Sequence, residues 1–307
     1  MPSKETSIDN AFLVGNKESL RSGEIPSVAV YGRTLPEVWE KSVLATWEWG
    51  CNIPTQYDQE IDPESKDTTI IMVVSKPLEE PRIHRALPGG YADLEIYRQE
   101  VVEGIHDHWV SDDRWSYSYH DRMVNWPGRG SWEKLDGLNM ELQTVDQMDK
   151  VVNQLAVSPE TRRAQATTWV PWIDSEHHEP PCLQRVWCRV VRSDNDLHLL
   201  EMNTHWRSRD AFKAAFMNMY ALTDLQGKMA EQISETSGRN VQPGRYVDIS
   251  DSYHIYGSYI RKGEMERFFH ILDKREFEDR IIKSDEPKVV QQFEIARAAI
   301  NEELHTL

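Results

Sequence analysis

Apolar residues recur at threes and fours along some stretches of this chain and gather in β-branched runs along others. Leu35-Pro36-Glu37-Val38-Trp39-Glu40 opens an amphipathic pattern that predicts a helix to about Trp49, with Gly50 as its stop. Thr68-Thr69-Ile70-Ile71-Met72-Val73-Val74 predicts a buried strand. Tyr91 to Gly104 predicts a helix. So does Asp146 to Ala156, where Met148, Val151, Val152 and Leu155 share a face and Ser158-Pro159 ends the pattern. Ala164 to Val170, Val186 to Val191, Leu197 to Asn203 and Tyr246 to Ile249 read as strands. The longest periodic pattern runs from Arg209 to Glu231, through Ala211, Phe212, Ala215, Phe216, Met219, Leu222 and Leu225, and predicts a helix. Glu264 to Ile271 and Lys288 to Glu303 are helical too. Pro77, Pro81 and Pro88 with Gly89-Gly90 mark a loop, and Trp109 to Gly137 is irregular. Strands and helices mix without strict alternation, which favours an α+β fold. No repeat or linker divides the chain. Residues 1–34 read as a polar arm and 35–307 as one catalytic-sized domain.

Composition narrows the class. Of 307 residues, 39% are hydrophobic, enough for a core. No apolar stretch approaches the ~20 residues that span a bilayer. Met1-Pro2-Ser3-Lys4-Glu5-Thr6 lacks a signal pattern, so a cytoplasmic location is expected. Three cysteines argue against a disulfide framework. The net charge of -16 gives solubility and repels nucleic acid and anionic membranes. A small anionic ligand then needs a local arginine cluster. Arg162-Arg163 and Arg207-Ser208-Arg209 are the candidates.

Each candidate has a plain reading beside a chemical one. Cys182, after Pro180-Pro181, is either a small buried hydrophobe or a nucleophile whose thiolate Arg185, Arg207 or Arg209 would stabilise. Cys188 reads as core and Cys51 as structural. Arg162-Arg163 is a solvated turn or an anion clamp. Arg207-Ser208 stands where a strand is expected to give way to a helix, whose N-terminal amides would favour a phosphate. Asn218, flanked by Met217 and Met219, faces solvent or reads a pyrimidine edge, since an amide donates and accepts at once. His254 and Tyr256 alternate on an expected strand and so share a face. His106-Asp107-His108 and His177-His178 contain metal-ligand types without paired zinc spacing, so no metal is expected. No Walker loop, GxGxxG, GxSxG or HExxH occurs.

In this order the motifs resemble the thymidylate synthase family, over about residues 35–270 and most specifically over 145–257. Val145-Asp146-Gln147 through Leu155, then Ser158-Pro159-Glu160-Thr161-Arg162-Arg163, resembles the family's helix and its two phosphate arginines, which cross to the neighbouring subunit. Pro181-Cys182 resembles the nucleophile motif. Arg207-Ser208-Arg209-Asp210 resembles the Arg-Ser-x-Asp element, with Arg207 and Ser208 on phosphate and Asp210 near base and folate. Asn218 matches the uracil-reading Asn, and His254-Ile255-Tyr256 the pair that holds the sugar hydroxyl. Tyr119 resembles the Tyr that helps remove the C5 proton. Glu100 is the choice for the catalytic Glu, with Glu103 next. The earlier part is closer to the archaeal branch.

There are departures. The Arg-Thr-Gly phosphate loop is missing, with Lys66-Asp67-Thr68 as a stand-in. Leu183 follows the nucleophile where bacterial members have His. Ala214-Ala215-Phe216-Met217 replaces Gly-x-Pro. The chain ends polar, in Glu303-Leu304-His305-Thr306-Leu307, where the family is apolar.

The resemblance implies a large mixed sheet flanked by helices and a sheet-to-sheet homodimer. It implies a pyrimidine nucleoside monophosphate as substrate, dUMP favoured, and 5,10-methylenetetrahydrofolate as cofactor. A thiolate adds to C6, C5 attacks the folate methylene, and a base removes the C5 proton. Hydride then gives a methyl group, whereas water gives hydroxymethyl. Conversion of dUMP to dTMP is the expectation. Hydroxymethylation of dUMP, dCMP or CMP is the alternative, and an inactive nucleotide-binding homologue or a Cys hydrolase lies further off.

Overall fold

The computed structural model describes residues 9–14, 23–112, 114–129 and 144–306. The rest of the expected arm, residues 113 and 130–137 of the irregular stretch, and Leu307 lie outside them.

The main sheet runs through β1 (Ala11–Val14), β2 (Ser27–Gly32), β4 (Ser65–Val74), β10 (Asn240–Ile255), β8 (Leu197–Trp206), β7 (Leu183–Arg192) and β6 (Gln165–Thr167). β3 (Cys51–Ile53) pairs with β4, and β9 (Arg209–Asp210) with β10. The pairing is mixed. β2 with β4 and β10 with β8 are parallel, while β4 with β10 and β7 with β8 are antiparallel. β5 (Ile83–His84) and β11 (Ile281–Ile282) form a separate small ribbon. This is the α+β mixed sheet that the sequence predicts.

Strand alternation sorts the two faces. Ile70, Met72 and Val74 of β4 and Val28 and Val30 of β2 are buried, because helices cover that face. Chief among these are α1 (Leu35–Trp49) and α7 (Ala215–Ser237), with α2 (Tyr91–Glu103) packed on α7. α5 (Gln147–Val157) packs on α7, and α11 (Pro287–His305) lies along α2. Trp39, fully buried on α1, has ring neighbours in Phe216 at 5.4 Å and Phe268 at 5.7 Å. Its indole N–H donates to Ala211 O at 2.9 Å. That bond anchors the segment between β9 and α7. Phe268 sits on α9 (Glu264–Lys274). Short helices α3 (Asp107–Ser111), α4 (Tyr119–Val124), α6 (Pro171–Asp174), α8 (Gly257–Arg261) and α10 (Phe277–Arg280) fill the connections.

Three expectations need correction. The arm expected over 1–34 enters the sheet as β1 and β2; Val28 and Val30, alternating with Ala29 and Tyr31, carry the period-two signal of a strand. The helix expected from Arg209 starts instead at Ala215. Arg209-Asp210 pairs with Tyr253-His254, and Asp210 Oδ1 takes the Phe212 and Lys213 amides, both at 2.9 Å. So no helix N-terminus stands at Arg207-Ser208 to favour a phosphate. Lys66-Asp67-Thr68 is not a phosphate loop but the start of β4, paired to β3 and β10, with the Lys66 ammonium over the Trp47 ring.

Candidate active site

Cys182 immediately precedes β7, and Arg207 immediately follows β8. Leu183 and Trp206 are register partners, so the two residues meet at the end of the β7–β8 pair. The Arg207 amide donates to Cys182 O at 2.9 Å. Its guanidinium donates to Pro181 O at 3.0 Å and Pro180 O at 2.6 Å, and Nη2 lies 3.6 Å from Cys182 Sγ. The Pro-Pro turn thus fixes the cation that faces the sulfur. Burial pushes the thiol pKa up; Arg207 and then Arg209 pull it down, and Glu179 raises it. The net direction is upward. Cys188, by contrast, is fully buried with its thiol pushed up to about 12, and it is core.

Tyrosines line the next wall. Tyr119 on α4 sets its ring 5.7 Å from Trp206 and 5.6 Å from Tyr117. Burial holds its hydroxyl well above the ordinary tyrosine range; the charges of Tyr117, Tyr97 and Cys182 add to that, while the Leu183 amide opposes it. Tyr117 is pushed up to about 12 by burial, then by Cys182. Tyr97 on α2 receives a hydrogen bond from the buried Asn218 amide, in the first turn of α7. Glu100, one turn along α2 from Tyr97, pairs with His106 Nδ1 at 2.8 Å, and burial outweighs that contact and raises its carboxyl. Glu103 instead points outward to Arg98 at 3.2 Å, which favours Glu100 of the two.

His106 stacks on Trp109 at 3.8 Å. Glu303 of α11 accepts from Trp109 Nε1 at 2.9 Å and stands 3.7 Å from His106 Nε2. The polar end of the last helix therefore closes against the residue that holds Glu100.

At the other end, β9 lays Asp210 beside His254, and β4 lays Asp67 on the far side of it, in register. Asp210 Oδ2 accepts from Tyr259 at 2.6 Å. Tyr256 caps α8 just beyond β10, with its ring 4.6 Å from His254, so the pair does face one way. Burial raises the Tyr256 hydroxyl, followed by the charges of Asp210, Tyr57 and Cys182. Gly257 makes this placement possible: a Cβ there would overlap the Pro63 carbonyl.

The structure thus gathers Cys182, Tyr119, Arg207, Asp210, Asn218, His254, Tyr256 and Glu100. Ser208 follows Arg207, half-buried, with no side-chain partner among the described residues. Arg162 and Arg163 stand apart, exposed on the turn before β6, their guanidinium groups unpartnered among the described residues. No His, Cys, Asp or Glu cluster able to hold a metal occurs among the described residues. Sequence reasoning missed Tyr97, though its helical spacing from Glu100 is the signal that finds it. Arg209, expected as a candidate cation for the thiolate, does act on Cys182, but it is buried and paired to Asp248 rather than open to a ligand.

Comparison with known proteins places the chain in a family. The family model for thymidylate synthase matches residues 90–301, and the chain belongs to that family. A relative from Methanosarcina barkeri (strain Fusaro) is 28% identical over 220 residues, covering 70% of this chain and 87% of its own. One from Methanopyrus kandleri is 29% identical over 230 residues, 75% of this chain and 93% of its own. Both carry provisional thymidylate synthase names. Thermostable thymidylate synthase A from Bacillus subtilis shares the fold, with TM-score 0.52 and 17% identity over 76% of this chain and 84% of its own. Membership makes this an enzyme of one-carbon transfer to C5 of a pyrimidine nucleotide, methyl or hydroxymethyl, in a folate-using family.

Proposed function

We propose that the protein converts dUMP to dTMP through a covalent bond between Cys182 Sγ and C6 of the base. The observation that carries this is the Arg207 cation held 3.6 Å from that sulfur by two proline carbonyls. A fixed cation favours the thiolate, and only the thiolate adds to the ring. Arg207 Nη1 takes no partner among the described residues and, with Ser208, is free for phosphate oxygens. Asn218 accepts from N3–H and turns its N–H groups from Tyr97 to O4. Tyr119, too hard to ionise to act as a free base, orders the water that removes the C5 proton. Glu100, raised by burial, exchanges a proton at the pyrimidine edge.

A reduced pterin presents N–H donors and a flat face, so its site needs a carboxylate and aromatic planes. Asp210, fixed by two backbone amides and Tyr259, offers the first. Trp109 and Trp115, edge to face at 4.8 Å, offer the second. These residues fit methylenetetrahydrofolate and would hold it. When bound, it supplies the one-carbon unit and, for a methyl product, the hydride.

The enzyme is further proposed to work as a homodimer. Supporting this is the sheet face that no helix covers among the described residues, where Phe12, Tyr31 and Ile71 are 58%, 49% and 44% exposed. Arg162 and Arg163 would then reach a neighbour's phosphate.

One observation favours hydroxymethyl transfer as a second reading. Glu303 brings a carboxylate, not an apolar residue, against His106 and Trp109, and a wetter closure lets water compete for the reactive carbon. The test is incubation with C5-tritiated dUMP and methylenetetrahydrofolate, following tritium release, absorbance and product mass. Dihydrofolate with a methylated product supports the first reading; a product heavier by one further oxygen establishes the second. No tritium release with dUMP, UMP, dCMP or CMP overturns both.

A further inference from the structure

Tyr97 and Asn218 meet where α2 packs on α7, and the Asn218 amide donates to the Tyr97 hydroxyl. That hydroxyl accepts without donating: its own hydrogen has no acceptor among the described residues. Tyr97, Tyr117, Tyr119 and Cys182 are each half-buried, so all four keep some surface open. The other two tyrosines stand nearer the sulfur. Tyr119 takes the Leu183 amide, and Cys182 is the first charge to act on Tyr117. Of the three, Tyr97 is the one that touches Asn218.

Thiolate addition sends charge toward this point. As the Sγ–C6 bond forms, the C5=C6 pair becomes C4=C5, and the C4=O4 pair becomes a lone pair on O4. The carbonyl oxygen turns into an enolate. In the proposed complex O4 accepts from the Asn218 amide nitrogen, the atom that the Tyr97 hydroxyl already touches. O4 therefore comes within reach of that hydroxyl. A carbonyl oxygen accepts two hydrogen bonds, and Asn218 supplies one.

We propose that Tyr97 is a further catalytic residue, whose hydroxyl donates to O4 and stabilises the enolate formed when Cys182 adds to C6. No proton changes hands. Burial around the hydroxyl, and then the Glu100 charge, raise its pKa above the ordinary tyrosine value, so it keeps its hydrogen beside the developing anion. When C5 attacks the one-carbon unit, the charge leaves O4 and the C4=O4 bond returns. The ring is set on α2 against the core, so the donor is in place before the charge appears. Its hydrogen bond strengthens as the charge grows, which lowers the barrier more than it tightens binding.

This rests on the proposed uracil nucleotide reading, and the experiment separates the two. Tritium release from C5 is followed for dUMP and for 4-thio-dUMP, whose sulfur is a weak acceptor, with methylenetetrahydrofolate, on wild type and Tyr97→Phe. Tyr97→Phe is expected to lower kcat for dUMP about 100-fold, the worth of one such donor, and to leave KM for dUMP within a few-fold. Its loss with 4-thio-dUMP is expected to be far smaller. An equal loss for both nucleotides, a loss in KM alone, or no loss for either overturns the inference and leaves the reaction standing. Wild type that releases no tritium from dUMP overturns the reaction and this inference with it. Should Tyr97→Phe not fold, or 4-thio-dUMP not turn over, 3-fluorotyrosine at position 97 decides. It keeps the shape and makes the hydroxyl a stronger donor, so kcat for dUMP is expected to rise at neutral pH. An unchanged or lowered kcat overturns the inference.

Discussion

The Arg209 guanidinium and the Asp248 carboxylate form an ion pair with 1% and 0% of their side chains exposed. The pair has further support: Tyr246 donates to Asp248 at 2.8 Å, and Arg209 donates to Ala215 O at 2.9 Å and lies over Trp206, which leaves Arg209 Nε as its one buried polar atom without a partner among the described residues. It therefore ties β9, β10 and the start of α7 together beneath Asp210 and Asn218. Removing one partner strands a buried charge. Asp248→Asn is expected to cost about 3–5 kcal/mol, read from the denaturant midpoint. Arg209→Met with Asp248→Leu should recover much of that, whereas additive losses would show that the pair is not coupled.

Cys182→Ser should abolish turnover while leaving nucleotide affinity within a few-fold. The alcohol is far less nucleophilic at neutral pH, but Arg207, Asn218 and His254 are untouched. Because burial holds the thiol above its ordinary value, with Arg207 opposing, kcat/KM of the native enzyme should rise with pH above neutrality. A flat profile from pH 7 to 9 would count against thiolate addition.

Asn218→Asp should shift preference from uracil toward cytosine by ~1–3 kcal/mol, as the wrong base leaves a buried donor or acceptor unmet. Competition between dUMP and dCMP reads this directly. Native enzyme that already prefers dCMP contradicts the assignment.

Mixing Cys182→Ser with Arg163→Ala should restore activity through hybrid dimers, if the exposed arginines serve a neighbouring site. At most about a quarter of the sites, each with an intact sulfur and an intact neighbour's arginine, would work after random exchange. A monomer at micromolar concentration, or no recovery, refutes the shared site.

Glu100→Gln should trade activity for stability. Burial raises the Glu100 pKa in the folded state, so the folded protein holds the proton more tightly than the unfolded chain. Stability from this group is then full below the unfolded pKa and falls as pH rises through the folded one. Gln abolishes that penalty and keeps a partner for His106. The variant should melt higher at pH 8, with little gain at pH 4, and turn over at least ~100-fold more slowly. A lower melting point at pH 8 would mean that the charged form is the stabilised one.

How much of this was legible differs by element. α1 and β4 follow their apolar patterns closely, and Gly50 and Gly104 end their helices where expected. The Cys182–Arg207 meeting was legible only as one of three choices, with Arg185 and Arg209, because it depends on the register of the β7–β8 hairpin carried from Arg192 and His198 to its far end, through a shift between Leu183 and Arg185. The Arg209 to Ala214 segment misled because Ala211 and Phe212 hold helix spacing, yet they bury against Trp39 from a bend that Asp210 caps. Tertiary packing overrode periodicity there. β2 was hidden by its polar surroundings, although Val28 and Val30 alternate as an edge-side strand should.

The hydrogen bond from Trp109 to Glu303 makes the last helix answerable to events at Glu100. Coupling between two sites is reciprocal in free energy. Whatever tightens the Glu100–His106 contact also holds α11 closed, by the same amount that a closed α11 favours that contact. Amide hydrogens in the final turns of the chain thus become gauges of occupancy at the pyrimidine edge, sensitive to a ligand they never touch.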